Sequence, residues 1–181
     1  MTSMMESDHL ADKLKSMIRD IPDFPKPGIL FKDISPLLAD PSGLALAVEL
    51  MSNPFRNRGV HYVVGAESRG FIFGTAVAQA LNCGFIPIRK PGKLPGECTS
   101  VDYELEYGTD TLQIHVDAIS PGDRVLLVDD LLATGGTMAA SVQLLQKVDA
   151  EILGISVLIE LLELDGRRLL EGHDVHSILR Y

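Results

Sequence analysis

Residues 125–137 read Val-Leu-Leu-Val-Asp-Asp-Leu-Leu-Ala-Thr-Gly-Gly-Thr. The four apolar residues Val125 to Val128 have the length and character of a strand buried on both faces. That strand is expected to end on two adjacent carboxylates, Asp129 and Asp130. A run of small residues, Ala133, Thr134, Gly135, Gly136 and Thr137, then opens a helix. Ligands of parallel sheets bind beyond the carboxyl ends of the strands, so both acids fall where binding is expected. The glycines let the backbone curl closely, and two hydroxyls stand beside the unpaired N–H groups of a starting helix. That is an anion site suited to a single phosphate. Vicinal carboxylates can accept hydrogen bonds from vicinal hydroxyls and can hold magnesium through its water shell. A sugar phosphate satisfies both halves. Taken singly, the acids would only solvate a strand end and the glycines only make a turn; together, at this spacing, they favour the ligand. No GxGxxG is present, and no Gly-Lys-Ser/Thr closes a nucleotide phosphate loop.

Five other places hold side chains that could serve a site. Gly65-Ala-Glu-Ser-Arg-Gly70 is a strand-to-helix turn that holds Glu67, Ser68 and Arg69. Ala66-x-Ser68-x-Gly70 approaches the nucleophile elbow of a serine hydrolase, and Asp129 or Asp130, then His173 or His176, follow in the hydrolase order. The elbow lacks its first glycine and no HGGG-type loop supports it, while Thr134 to Thr137 would be left without a task. Arg89, Lys90 and Lys93 lie within five positions among glycines and prolines. Such a run is commonly a solvated surface; beside an anion site it reads as a mobile lid. Glu106 is solvated if it sits on an exposed strand face, and a general acid or base if burial raises its pKa. Phe31 is a core side chain in most settings, but here it stands in the loop Ile29 to Asp33. His173 and His176 would face opposite sides of a strand, which disfavours a shared metal.

The 125–137 segment resembles the ribose-phosphate signature of the type I phosphoribosyltransferases. Phe24-Pro-Lys-Pro-Gly-Ile-Leu-Phe-Lys-Asp-Ile-Ser35, Glu67-Ser-Arg-Gly-Phe71, Arg89-Lys-Pro-Gly-Lys-Leu-Pro95 and Leu105-Glu-Tyr-Gly108 resemble the branch that acts on adenine. The likeness runs from about residue 10 to the C-terminus. It implies a purine-salvage glycosyltransferase (a pentosyltransferase) that joins adenine to phosphoribosyl pyrophosphate, giving AMP and pyrophosphate. The resemblance implies that Ala133, Thr134, Gly135, Gly136 and Thr137 hold the 5′-phosphate, and Asp129 and Asp130 the ribose hydroxyls. Glu67, Ser68 and Arg69 would meet pyrophosphate, often through a non-proline cis peptide, and Arg89, Lys90 and Lys93 would join when the lid closes. Glu106 would face N7 of adenine and handle its proton, with Tyr107 near the reacting centre. Phe31 would stack on adenine, Leu30 and Lys32 would read its edge through backbone groups, and Leu161 would cover the opposite face. Mg2+ would arrive on the substrate, near Asp129 through water, with no direct protein ligand. A homodimer is the family habit. Two other classes stand beside this reading: a regulatory module that binds phosphoribosyl pyrophosphate or a nucleotide without turnover, and the hydrolase built on Ser68.

The elements that must position these groups alternate. Leu10, Leu14, Met17, Ile18 and Ile21 recur at helical spacing, and prolines 22, 25 and 27 stop that helix. Asp40-Pro41 starts a second helix whose stripe is Leu44, Ala47, Val48 and Met51. From residue 60 onward, strands at 60–66, 85–88, 124–129, 152–159 and 175–179 alternate with helices at 70–81 and 136–148. That order predicts an α/β fold, a central mainly parallel sheet flanked by helices. The resemblance adds a small hood, from about 21–35 and the C-terminal part, and a flexible lid loop. Residues 89–117 interrupt the alternation with the lid and a hairpin, Tyr103 to Tyr107 and Thr111 to Val116, turning at Gly108. Residues 1–181 are expected to form a single domain.

The composition bounds the partners. The chain has 181 residues, 46% hydrophobic and 23% charged, with 25 Asp+Glu against 16 Lys+Arg and a formal charge of -9. That is a globular composition, and its acidity disfavours a nucleic-acid partner. Apolar runs are too short to span a bilayer, and the first twenty residues lack the apolar centre of a signal peptide. Cys83 and Cys98 form no framework, which fits a reducing, cytoplasmic setting. Arg69 and the lid cations fall between residues 21 and 96, the one stretch in which Lys and Arg outnumber the acids.

Overall fold

The computed structural model describes residues 2–104 and 108–181, with side chains from residue 9 onward. The chain divides into two compact units, Met1–Leu50 and Met51–Tyr181.

In the first unit, α1 (Thr2–Lys15) is followed by strands β1 (Arg19–Pro22) and β2 (Leu30–Asp33), then α2 (Ser35–Ala39) and α3 (Pro41–Ser52), whose last two residues belong to the second unit. Helical spacing extends to Ile21, but the helix ends six residues earlier, at Lys15. The register explains this. Arg19 lies opposite Asp33 and Asp20 opposite Lys32 in an antiparallel pair, and both pairs close as ion pairs, at 2.5 and 2.7 Å. Opposite charges directly across a ladder favour that pairing. Residues 30–33, expected as loop, are therefore strand. The start of α3 follows the Asp-Pro expectation: Asp40 Oδ1 accepts hydrogen bonds from the Gly43 N–H at 2.7 Å and the Ser42 hydroxyl at 2.6 Å.

The second unit is built on five parallel strands in the order β4-β3-β7-β8-β9. These are β3 (Tyr62–Ala66), β4 (Gly84–Ile88), β7 (Arg124–Leu132), β8 (Glu151–Glu160) and β9 (Val175–Arg180). Helix α4 (Gly70–Leu81) crosses from β3 to β4, and α5 (Gly136–Lys147) from β7 to β8. Between β4 and β7 the chain makes an antiparallel hairpin, β5 (Cys98–Glu104) with β6 (Thr109–His115). β5 begins five residues before the expected Tyr103, because its first half is polar and only Val101, 6% exposed, announces an inward face. Val64, Val125, Leu127, Ile155 and Val157 form the centre of the core, each 0% exposed.

The chain winds from β3 to β4 on one side and returns to β7 on the other. The strand order thus reverses between β3 and β7, and a crevice opens at their carboxyl ends. β7 does not stop at Asp129 as expected. It continues to Leu132 because β8 keeps pairing with it, Leu132 opposite Glu160, while the β3 ladder stops at Gly65 opposite Val128. Asp129 and Asp130 are therefore in the strand, at the point where one neighbour has left. Among the described residues no helix is long and apolar enough to cross a membrane.

Candidate active site

The crevice holds a cleft of about 480 Å³ lined by Glu67 to Arg69 from one strand end and Asp129 to Met138 from the other. Ten of the thirteen residues assigned to phosphoribosyl pyrophosphate line it: Glu67, Ser68, Arg69, Asp129, Asp130, Ala133, Thr134, Gly135, Gly136 and Thr137. Leu131, Leu132 and Met138 also line it and were not anticipated. No motif marks an apolar side chain as a wall; the continuation of β7 past the acids places Leu131 and Leu132 there, and the first turn of α5 places Met138.

Helix α5 starts with no side chain capping it. The N–H groups of its first turn are left for a ligand, and the positive end of the helix favours an anion. Gly135 adopts φ +85°, a left-handed conformation that costs glycine little. Thr134 is exposed beside it. The described end of β5 lies close by, since a Cβ on Gly136 would stand 3.4 Å from the Glu104 carbonyl oxygen. Glu106 and Tyr107, the expected catalytic residues, follow Glu104 and lie outside the described residues.

Asp130 is 5% exposed, and its carboxylate meets the Arg69 guanidinium, Oδ2 to Nε, at 2.8 Å. The Asp130 N–H donates to Asp129 Oδ1 at 2.8 Å. Burial pushes the Asp129 carboxyl well above the usual range, and the negative charge of Asp130 pushes it further. Burial also raises Asp130, against the opposing pull of Arg69. Gly70 makes this packing possible, because a Cβ there would lie 2.9 Å from Asp129 Oδ1. The turn before it contains a cis peptide, Glu67–Ser68. A buried carboxylate, Asp130, and a half-buried one, Asp129, facing one cleft favour ligands that donate hydrogen bonds or carry positive charge.

The lid cations do not line the cleft. Arg89 Nε reaches Glu67 Oε2 at 3.3 Å, and the same oxygen accepts the Lys90 N–H at 3.0 Å. These contacts hold Glu67 below its ordinary pKa, the Lys90 amide contributing most. Lys90 Nζ pairs with Asp110 at 2.8 Å, and the Lys93 carbonyl accepts from Arg89 Nη1 at 3.3 Å. Arg89 also exchanges backbone hydrogen bonds with Gln113 of β6, at 2.9 and 2.7 Å. The lid thus begins fixed at one end to the hairpin and to the turn that carries Arg69.

The expected adenine contacts fall in both units. In the first, the Phe31 ring packs edge-on against Phe24 with centroids 5.1 Å apart, Leu30 is 50% exposed, and Lys32 pairs with Asp20. In the second, Leu161 follows β8, its N–H donating to the Leu132 carbonyl at 2.9 Å. His173 precedes β9 instead of sharing a strand with His176, whose ring lies 6.4 Å from that of Phe55. Among the described residues no histidine lines the cleft beside Ser68. Cys83 and Cys98 are free thiols.

A phosphoribosyl transferase domain model matches residues 34–176. Adenine phosphoribosyltransferase of Rhodopirellula baltica is 60% identical over 168 residues, 93% of this chain and 82% of that one. The crystal structure of adenine phosphoribosyltransferase from Rhodothermus marinus shares 49% identity over 96% of this chain and 99% of its own, with a TM-score of 0.91. The Saccharomyces cerevisiae adenine phosphoribosyltransferase, crystallised with adenine and an imino-altritol bisphosphate, gives 40%, 95%, 99% and 0.90. Agreement over nearly the full length of the chain, on the same parallel sheet, leaves one conclusion. The chain belongs to the adenine phosphoribosyltransferase family.

Proposed function

We propose that this chain transfers the 5-phosphoribosyl group of phosphoribosyl pyrophosphate to adenine, giving AMP and pyrophosphate. One observation carries the reading. A single cleft aligns an uncapped helix start, two adjacent carboxylates, one buried and one half-buried, and an arginine. These suit a phosphate, a vicinal diol and a diphosphate, the order in which the substrate presents them. A relative crystallised with adenine supports the choice of base.

In this reading the backbone from Ala133 to Thr137, with its two hydroxyls, holds the 5′-phosphate. Asp129 and Asp130 accept hydrogen bonds from the ribose hydroxyls, which relieves their mutual repulsion. As the bond to the anomeric carbon breaks, the sugar gains positive character, and fixed carboxylates beside it stabilise that charge. Arg69, with Glu67 and Ser68, faces the departing pyrophosphate, and Arg89, Lys90 and Lys93 join it as the lid closes. Glu106 manages the proton at N7 of adenine, with Tyr107 beside the reacting centre. Leu30, Phe31, Lys32 and Leu161 bind the base. Residues 1–181 work as one phosphoribosyltransferase domain, with a hood of about 21–35 and the C-terminal part, and a lid and hairpin at about 89–117.

The donor set suits magnesium in one way only. Carboxylate oxygens are its preferred ligands. Among the described residues, however, no three carboxylates, imidazoles or thiols converge on one point. The fit is to Mg2+ carried by the diphosphate and met near Asp129 through water, where it would offset part of the leaving group's charge. A cytoplasmic homodimer completes the proposal, and light scattering after size exclusion tests the dimer.

The deciding assay supplies adenine, hypoxanthine or guanine with phosphoribosyl pyrophosphate and magnesium. AMP formed from adenine alone supports the proposal. Binding without product would favour a regulatory module, and labelling of Ser68 by a fluorophosphonate would favour the hydrolase.

A further inference from the structure

The phosphate loop does not stand alone. Gly166, buried in the short turn Gly166–Leu170, lies directly against its backbone. A Cβ on Gly166 would collide with the Ala133 carbonyl oxygen and come within 2.8 Å of the Gly135 nitrogen and 3.0 Å of the Thr134 carbonyl carbon. A Cβ on Gly135 would in turn run into the Gly166 carbonyl. Backbone rests on backbone here, with no room for a side chain on either segment.

The residue after Gly166 is anchored. Arg167 grips Glu160 with two parallel bonds, Nε to Oε1 at 2.8 Å and Nη2 to Oε2 at 2.6 Å. Its Nη1 donates to the Val175 carbonyl at 2.9 Å. Ser177 donates its hydroxyl to Glu160 Oε2 at 2.6 Å, and Arg180 Nε stands 3.5 Å from the same oxygen. Glu160 is 4% exposed and lies opposite Leu132, the residue that precedes the loop. A fork-on-carboxylate pair fixes direction as well as distance. From the other end of the turn, Leu170 is locked in the core at 1% exposure.

We propose that the Glu160–Arg167 pair and Gly166 are positioning residues for the phosphate loop. They form a rigid floor that holds the Ala133–Gly135 backbone in the shape that aims its N–H groups at the 5′-phosphate. This rests on the assignment of that loop to the 5′-phosphate. None of the three lines the cleft, and all act through the backbone they support. A displacement of the loop by the width of a methyl group misdirects several hydrogen bonds to one anion, and each such bond to a charged group is strong.

The test uses the full chain and two ligands that divide the substrate, ribose 5-phosphate and pyrophosphate, measured by calorimetry well below each variant's Tm. Gly166→Ala should weaken ribose 5-phosphate by about tenfold or more and raise KM for phosphoribosyl pyrophosphate similarly. Pyrophosphate affinity and KM for adenine should stay within about twofold, since neither depends on this loop. Arg167→Lys keeps the charge but loses the fork, and should show the same split at smaller size; it carries the test if Gly166→Ala does not fold. Unchanged ribose 5-phosphate affinity in folded variants overturns the proposal, and so do equal losses for both ligands, which mark a merely structural role. If the unmodified chain binds ribose 5-phosphate yet makes no AMP, the proposed reaction fails while the floor is still tested by binding. If it does not bind ribose 5-phosphate, the floor proposal falls as well.

Discussion

Arg69 Nε and Asp130 Oδ2 stand 2.8 Å apart, so the cation assigned to pyrophosphate is paired with a carboxylate assigned to the ribose. Two of the three lid cations repeat the arrangement, Arg89 on Glu67 and Lys90 on Asp110. In the proposed reaction, substrate entry would therefore exchange the partners of these cations rather than fill a bare positive pocket. The exchange limits the cost of burying charge, because each of these three cations would trade one anionic partner for another. Asp130→Asn removes the charge, turns one of the two acceptor oxygens into an NH2 donor, and releases Arg69 together. Affinity for phosphoribosyl pyrophosphate should fall by about tenfold or more, one charged hydrogen bond's worth. Affinity for pyrophosphate alone should hold or rise, and KM for adenine should barely move. Equal losses for all three ligands would make Asp130 a structural acid.

The pH dependence at the acidic pair has a definite sign. Burial and mutual repulsion raise the Asp129 carboxyl above its unfolded value. A group raised by folding contributes stability below its unfolded pKa and loses it as pH rises through the folded one. At neutral pH and above, the ligand-free protein should therefore be destabilised here. Asp129→Asn should raise the Tm of the ligand-free chain at pH 8 by a few degrees, about 2–4 °C per kcal/mol for a chain of this size. The gain should vanish near pH 4, and activity should be lost. A variant less stable than the parent at pH 8 would contradict the argument.

Glu106→Gln separates proton handling from base binding. The amide keeps the size of the carboxylate but cannot take or give a proton. We expect kcat to fall by about a hundredfold, the usual scale of one general acid or base, with KM for adenine within a fewfold. An unchanged kcat would leave Glu106 a positioning role only.

The site was more legible than the frame around it. Asp129 to Thr137 announce themselves because two carboxylates and a Thr-Gly-Gly-Thr loop on one strand-to-helix turn have few other uses. Helix α4 was readable to the residue, since Gly70 to Leu81 is bounded by a turn on each side. Strand β2 was not, because its pairing with β1 rests on two ion pairs between residues over ten positions apart. Local periodicity does not record such pairings, and the apolar spacing through Ile21 pointed to helix instead. The role of Gly166 was also invisible in sequence. A glycine required for close approach looks like any other until the neighbouring backbone is known.

Glu160 behaves in the opposite way to Asp129. Hydrogen bonds from Arg167 and Ser177 outweigh its burial and bring its pKa down to about 2, from an ordinary 4.5. A group depressed by folding contributes stability above its unfolded pKa and loses it as pH falls through the folded one. The contribution is therefore whole at pH 7 and declines between about 4.5 and about 2. Glu160→Gln should cost about 3 kcal/mol at pH 7, because it leaves Arg167 facing a neutral partner. Urea unfolding at pH 7 and again at pH 3 measures the difference between parent and variant. The gap should narrow at the lower pH as the parent's own carboxylate begins to protonate. A gap that stays constant with pH would mean that Glu160 acts through shape alone, and that its charge does not brace the turn beneath the phosphate loop.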